Sequence, residues 1–455
     1  MNEKNQITEG VIWKQLLIFF FPIVFGTFFQ QIYNTADTIV VGRFVGKEAL
    51  AAVGGSVTQI VNLIVGFFVG LSSGAAVVIS QFYGAKDEKN LKKSLHTAYG
   101  FSVIAGMIIG VLGIVISGPL LKVMQTPGEI VEQSKIYLYI YFAGMVFNLI
   151  YNMGSSILRA VGDSKRPLYV LIITCVLNII LDIVLVVFFH MGIAGAAIAT
   201  VFSQAVSAVI VTWMLMKTGE IYRLHLRQMN CAPGPLGMML RIGVPAGMES
   251  VMYNISNLVI QVFVNRLGTD TVAAWGTFAK IDAVFWMVIN AFGIAITTFV
   301  GQNYGAGKKD RMRKSVRVCM LMSFGSAIVL SVFLIVFAEP LYRLFTTDTN
   351  VIAIGTEMMY FLVPSYSLYV IIGILSGALR GAGKVLIPML LTCGGICVMR
   401  VLCMIWVFAV LPAYPGMETI MLSYPVSWGI TAVLFILYYF KRFPEAESTK
   451  NRSVS

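Results

Sequence analysis

Charge is scarce in this chain of 455 residues: 12% of them are charged and 58% hydrophobic, whereas a soluble globular protein carries about 25% charged residues. Histidine is scarcer, with three in all. His96, His190 and His225 fall near helix ends or in loops, too far apart in sequence to write a metal motif, so a histidine-based enzyme centre is not expected. The six cysteines, Cys175, Cys231, Cys319, Cys393, Cys397 and Cys403, form no CxxC pair and no disulfide framework. Five of them sit in apolar stretches and read as packing residues. A secretory signal is also missing: "MNEKNQITEGVIWK" lacks the basic region, short apolar core and small-residue cleavage site of one. The first helix is therefore expected to be retained.

What fills the chain is apolar sequence in runs of about 20 residues or more, each long enough to cross roughly 30 Å of hydrocarbon. Twelve such spans are expected, at 14–41, 49–80, 95–120, 134–157, 167–190, 193–217, 237–264, 271–301, 316–338, 355–379, 386–411 and 418–440. The fold class that follows is an all-α integral membrane protein. The net charge of +12 then needs a reason other than nucleic acid. With the N-terminus placed in the cytoplasm, the inner segments hold 25 of the 33 Lys and Arg residues and the outer loops 6, with Lys280 and Arg400 inside spans. That bias is the positive-inside rule, with both termini cytoplasmic in the plasma membrane. Nucleic acid is not an expected partner; the lipid bilayer is.

The chain is written twice. "SQFYGAKDEKNLKKSL" at residue 80 returns as "GQNYGAGKKDRMRKSV" at residue 301, and "LRAVGDSKRP" as "LRGAGKVLIP", both 221 positions later. "VGKEALAAVG" aligns with "LGTDTVAAWG" at an offset of 222, and Pro22 with Pro245 at 223. Each half carries six spans, an even number, so the halves enter the membrane from the same side as a parallel repeat, two homologous six-helix bundles facing a central cavity. The polar segment "EIYRLHLRQMNCAPGPLG", with its Pro-Gly-Pro, reads as the linker. The expected organisation is an N-lobe at 1–219, a cytoplasmic linker at 220–237, a C-lobe at 238–441 and a polar cytoplasmic tail at 442–455. The repeated "YGA" with following basic residues reads as a helix C-terminus that shapes a cytoplasmic loop.

Charges inside spans are expensive, of order 3 kcal/mol on insertion scales, and face an aqueous cavity or a partner. The N-terminal half holds Asp37 and Asp182 with no cation in its spans away from their ends, while the C-terminal half sets Glu249 and Asp282 against Lys280 and Arg400. An unpaired acidic pair in a low dielectric either holds a proton or recruits a cation. Asn178 and Asp182 in "LNIILD" are four apart and share a helical face. Asp37, Asp182, Thr200 and Asn178 all lie about 5 to 12 residues from the outer span ends, roughly 8 to 18 Å deep, and their oxygens suit a hard cation. Lys280 and Asp282, two apart, point to different faces, which directs their pairing toward Glu249 or Arg400. Tyr33, Asn34, Glu249, Tyr253, Lys280 and Asp282 are candidate cavity-lining residues. Pro22, fifteen residues before Asp37, is a candidate hinge.

The duplicated halves, together with "FPIVFGTFFQQIYNTADTIVVGRFVG", "LNIILD" and "AFGIAITTFVGQNYGAG", resemble the multidrug and toxic compound extrusion (MATE) family, and within it the DinF-like branch, over nearly the whole chain. The resemblance implies a twelve-helix antiporter that exports cationic, amphipathic compounds in exchange for Na⁺ or H⁺, with no cofactor and no enzymatic activity. It implies that Asp37, Asn178, Asp182 and Thr200 form the cation or proton site, with Asp37, Asn178 and Asp182 as metal ligands if Na⁺ is used, and that helix 1 bends about Pro22. NorM-like members carry an acid nine residues after the seventh-span Pro, where Asn254 stands here, and another in the tenth span, where only Glu357 lies near an outer end. A single chain with both lobes is expected to work as a monomer. The alternative within the wider superfamily is a flippase for a lipid-linked oligosaccharide or lipid precursor, which the acidic interior of the N-terminal half disfavours.

Overall fold

The computed structural model describes residues 6–410 and 416–443. The tail from residue 444 and residue 411 at the end of the eleventh expected span lie outside the described residues. Among the described residues there is helix and no strand. Twelve long helices stand where twelve spans are expected. They are α1 (Ile12–Phe44), α2 (Lys47–Gly84), α3 (Glu88–Val123), α4 (Gly128–Ala143 continued by Met145–Ala160), α5 (Lys165–Phe188), α6 (Gly192–Lys217), α7 (Pro233–Asn265), α8 (Thr269–Gly305), α9 (Lys309–Val336), α10 (Thr349–Gly381), α11 (Leu386–Trp406) and α12 (Met417–Arg442). Ten of them, and the bent α4 as an eleventh, are long and apolar enough to cross a membrane. The exception is α7, whose Arg241, Glu249, Asn254 and Asn257 make it too polar to qualify on composition.

Departures from regular helix have local causes. The two parts of α4 meet at 50° around Gly144, where an added Cβ would run into the Val201 side chain. The α2 helix is kinked within Val53–Val57, where Gly55 leaves helical φ/ψ, and wide π-type turns occupy Cys393–Val398 in α11 and Ile183–Phe188 in α5. Such turns are frequent at functional positions in helices, and the second directly follows Asp182. Pro22 and Pro245 lie inside single 33-residue helices; membrane helices tolerate internal proline where neighbours satisfy the freed carbonyl.

The chain packs as two compact units, residues 18–247 and residues 248–443 with 6–17. The division falls within α7, beyond the linker read from the sequence. In the N-terminal unit, Gly70 and Gly74 of α2 face Gly247 and Gly243 of α7 so closely that an added Cβ on any of the four would meet backbone. Small residues four apart on both helices allow this approach, and it ties the first turns of α7 to the unit before it. The linker is shorter than expected because Pro-Gly-Pro forms the first turn of α7, where a missing N–H costs nothing. Its upstream part docks: Tyr222 and Leu224 are buried, His96 Nε2 accepts from the His225 backbone N–H at 3.0 Å, and Thr97 donates to Asn230 Oδ1 at 3.2 Å. In the C-terminal unit, Lys308 and Arg311 at the start of α9 donate to the carbonyls of Thr8, Ile7 and Gly10, holding residues 6–17 there.

The duplication reappears in the turns. Left-handed glycines stand at Gly46 and Gly268 and at Gly162 and Gly383, with φ of 120°, 98°, 98° and 77°. Lys86 and Gly307 also share a left-handed turn, at φ 55° and 70°, although only the second is glycine.

Candidate functional site

Three helices of the N-terminal unit converge on two carboxylates. Asp37 comes from α1, Asn178 and Asp182 from α5, and Thr200 from α6, and the other three side chains all lie within electrostatic or hydrogen-bonding reach of Asp37. The i, i+4 spacing of Asn178 and Asp182 puts both on the inner face of α5, where each is fully buried. Thr200 donates to Asp37 Oδ2 at 3.2 Å. Asp37 Oδ1, both Asp182 oxygens, and Asn178 Oδ1 and Nδ2 are buried with no hydrogen-bond partner. None of the ion pairs among the described residues involves Asp37 or Asp182. Buried polar groups are nearly always partnered, so this concentration of unpartnered atoms sets the cluster apart as the candidate site.

Tyrosines complete the shell. Tyr33 of α1 and Tyr137 of α4 stand close to Asp37 and Thr200, and Tyr141 lies against Gln204 of α6. The rings of Tyr137 and Tyr141 stack at 6.2 Å and belong to an apolar cluster with Val40, Val41 and Phe142. Tyr33, expected in a cavity, is part of this acid cluster, and its hydroxyl is buried without a partner. Asn34, by contrast, is exposed. Tyr137, Tyr141 and Gln204 were not expected from the sequence. The signal for the first two was present in "IYLYIYFA", where Tyr137 and Tyr141 fall one turn apart on one face.

The C-terminal unit arranges its charges differently. Glu249 of α7 bonds Arg380 of α10 at 2.9 Å, with side-chain exposures of 13% and 25%. The sequence reading directed the pairing of Lys280 and Asp282 toward Glu249 or Arg400; Glu249 pairs with Arg380 instead. Lys280 is exposed, its Nζ 5.8 Å from the Phe345 ring centre, and it lines no site with Glu249 or Asp282. Two residues on, the opposite face of α8 buries Asp282, whose carboxylate accepts from Trp286 Nε1 and Tyr366 Oη. Tyr253 and Tyr369 share a hydrogen bond of 3.0 Å. Asn254, at the position of the NorM-like acid, donates to the Ser250 carbonyl at 2.9 Å. Arg400 is buried and donates to Ser256 Oγ at 2.8 Å.

Among the described residues no three of His, Cys, Asp or Glu converge as a metal cluster. His96 and His225, distant in sequence, do stack at 6.1 Å, in the linker dock.

Comparison with known proteins bears on both halves. The family model MatE matches residues 22–184 and again 245–406. The chain is 29% identical over 437 residues to the probable multidrug resistance protein YoeA of Bacillus subtilis, covering 94% of this chain and 93% of that protein. It is 25% identical over 360 residues to an FAD transporter of Shewanella oneidensis, covering 77% and 78%. Among solved structures, a MATE transporter crystallised in a bent conformation superposes with a TM-score of 0.91 at 23% identity, covering 98% of each chain. Two matched halves, a two-repeat helical fold and a multi-pass membrane topology lead to one conclusion: the chain belongs to the MATE family and is a membrane transporter, not an enzyme.

Proposed function

We propose that this transporter is an antiporter that exports amphipathic, cationic compounds from the cytoplasm across the plasma membrane in exchange for H⁺ or Na⁺, with both termini cytoplasmic. The observation that carries the reading is the acid pair Asp37 and Asp182, the first half-buried and the second fully buried, in no ion pair among the described residues. A charge deficit there is filled by a proton on a carboxylate or by a hard cation, and the donors at hand, carboxylate, amide and hydroxyl oxygens, suit either. Asp37, Asn178 and Asp182 would hold Na⁺, with Thr200 beside them. The multidrug name of the relative from Bacillus subtilis supports a drug-like cargo, and the FAD transporter is a relative with a different one.

In this mechanism the exchanged ion and the exported compound compete for one state of the protein. The ion, entering from outside, occupies Asp37 and Asp182 and favours the conformation that releases cargo. It shifts the equilibrium only by its differential affinity for the two conformations. Moving a population from 1:99 to 99:1 takes about a 10⁴-fold difference, which a carboxylate pair that is bare in one state and neutralised in the other can provide. Pro22, in the helix that carries Asp37, supplies the place where that helix bends.

The test is ethidium transport by the purified protein in liposomes under an imposed Na⁺ gradient and, separately, a pH gradient, with Asp37→Asn alongside. Transport under one gradient that disappears in the variant supports the assignment and identifies the ion. Gradient-driven transport that survives Asp37→Asn would remove Asp37 from the coupling step. A folded protein that transports under neither gradient would return weight to a lipid flippase.

A further inference from the structure

We infer that Lys308 and Arg311, at the start of α9, are positioning residues that hold the root of α1 still, so that a bend at Pro22 moves Asp37. The inference rests on the antiport reading above and adds the fixed end that its bending helix needs.

The repeat shows that these two positions differ in use between the halves. Offset by 221, Lys308 and Arg311 correspond to Asp87 and Asn90. In the N-terminal unit that pair caps its own helix: Asp87 accepts from the Asn90 backbone N–H at 3.1 Å, and Asn90 Nδ2 donates to Asp87 Oδ2 at 2.7 Å. Lysine and arginine side chains carry no acceptor, so α9 begins without such a cap and forgoes its stabilisation. The C-terminal unit has a grip there instead. Lys308 Nζ donates to the Thr8 carbonyl and Arg311 Nε to that of Ile7, both at 3.0 Å, while Arg311 Nη2 donates to the Gly10 carbonyl. Glu9, between these carbonyls, lies within electrostatic reach of Arg311. Ile7 and Thr8 are buried, and a planar guanidinium bonding two carbonyls fixes the direction of the segment as well as its place.

The segment so held leads directly into α1. Residues 6–17 pack with the C-terminal unit and the rest of α1 with the N-terminal unit, and the helix runs unbroken from Ile12 through Pro22 to Phe44. The fifteen residues from Pro22 to Asp37 span about 22 Å. A kink of about 20°, ordinary at proline, therefore carries Asp37 by about 8 Å. That is enough to part it from Thr200, which donates to it at 3.2 Å. The displacement reaches Asp37 only if the near end stays put; with a loose root, the same bend moves the root instead. The matching segment ahead of α7, offset by 223, is held by neutral groups, with Asn230 accepting from Thr97 at 3.2 Å.

The test removes the grip and leaves the acid cluster whole. In the Lys308→Gln, Arg311→Gln double variant, a glutamate-specific protease should cut after the exposed Glu9 about tenfold faster, because the segment opens locally. Fragment mass reads this on the purified full chain in detergent. Radiolabelled ethidium is then followed in liposomes, both as gradient-driven accumulation and as exchange with no gradient. The maximal rate of driven accumulation should fall about tenfold, with the half-saturating ethidium concentration unchanged and exchange retained. Arg311→Lys alone, which keeps the charge and loses the fork, should fall between wild type and the double variant and supplies the reading if the latter does not fold. Unaltered cleavage, or faster cleavage with driven transport intact, would overturn the assignment. Equal loss of driven transport and exchange would overturn it too, because a merely structural pair behaves that way. A wild type that accumulates no ethidium under either gradient would instead remove the antiport reading, and the positioning role with it.

Discussion

The two units descend from one six-helix ancestor and share turn glycines at equivalent positions, but they handle buried charge in opposite ways. The N-terminal unit gathers Asp37 and Asp182 with no base among them, whereas the C-terminal unit pairs Glu249 with Arg380 and caps Asp282 with two ring donors. The difference is one of state. A bare acid pair is a fold that stores an unmet demand for positive charge, and a capped or paired acid is a fold that has met it. In the antiport proposed above, the first responds to the ion and the second holds its shape.

Acid-to-amide substitution exposes the contrast most sharply. Asp182→Asn should reduce gradient-driven transport about 100-fold, the upper end of ordinary coupling free energies, and should not lower the thermal midpoint in detergent, because the fold gives the Asp182 oxygens no hydrogen bond to lose. Loss of transport together with a lower midpoint would mean that the pair is structural and the comparison wrong.

The same chemistry in the other unit should run the other way. Glu249→Gln leaves the half-buried Arg380 without its anion and should lower stability by about 2 kcal/mol, less than the roughly 3 to 5 kcal/mol for stranding one partner of a fully buried pair. Adding Arg380→Gln should recover part of that loss. A thermal-unfolding double-mutant cycle measures it, and additive single effects would show that the 2.9 Å contact contributes no coupling.

Packing distinguishes the units next. Gly74 sits against the backbone of Gly243 and Met239, and the repeat places Ala295 at the equivalent position 221 residues on. Gly74→Ala should therefore destabilise by about 2 kcal/mol through overpacking, although alanine is what the C-terminal unit carries there. A neutral Gly74→Ala in thermal unfolding would show that α2 and α7 can part without penalty.

Much of this was legible in the sequence because it is local or periodic. Twelve apolar runs, a repeat offset of about 221 and acids in apolar context can each be read within a short window. Asn178 and Asp182 were legible for the same reason, being one helical turn apart. What stayed hidden joins distant residues. Arg380 meets Glu249 across 131 positions, and near a span end it carries the same letters as any topogenic arginine. Gln204 reaches the acid cluster through Tyr141, and nothing in its own segment points there. The linker looked polar, and its docking through His96 depends on a histidine whose neighbours in sequence give no hint of His225.

The smallest effect tests the repeat at one backbone position. Lys86 holds a left-handed φ of 55° where its counterpart Gly307 holds 70°. A side chain in that region is disfavoured by about 1 kcal/mol relative to glycine, partly offset because glycine also gains freedom in the unfolded chain. Lys86→Gly should thus stabilise the N-terminal unit by a few tenths of a kcal/mol, and Gly307→Lys should destabilise the C-terminal unit by a similar amount. Parallel thermal melts of the two variants check both signs. If they moved in the same direction, the two turns would share a dihedral angle without sharing its energetics, and the equivalence of the halves would be one of sequence and shape alone.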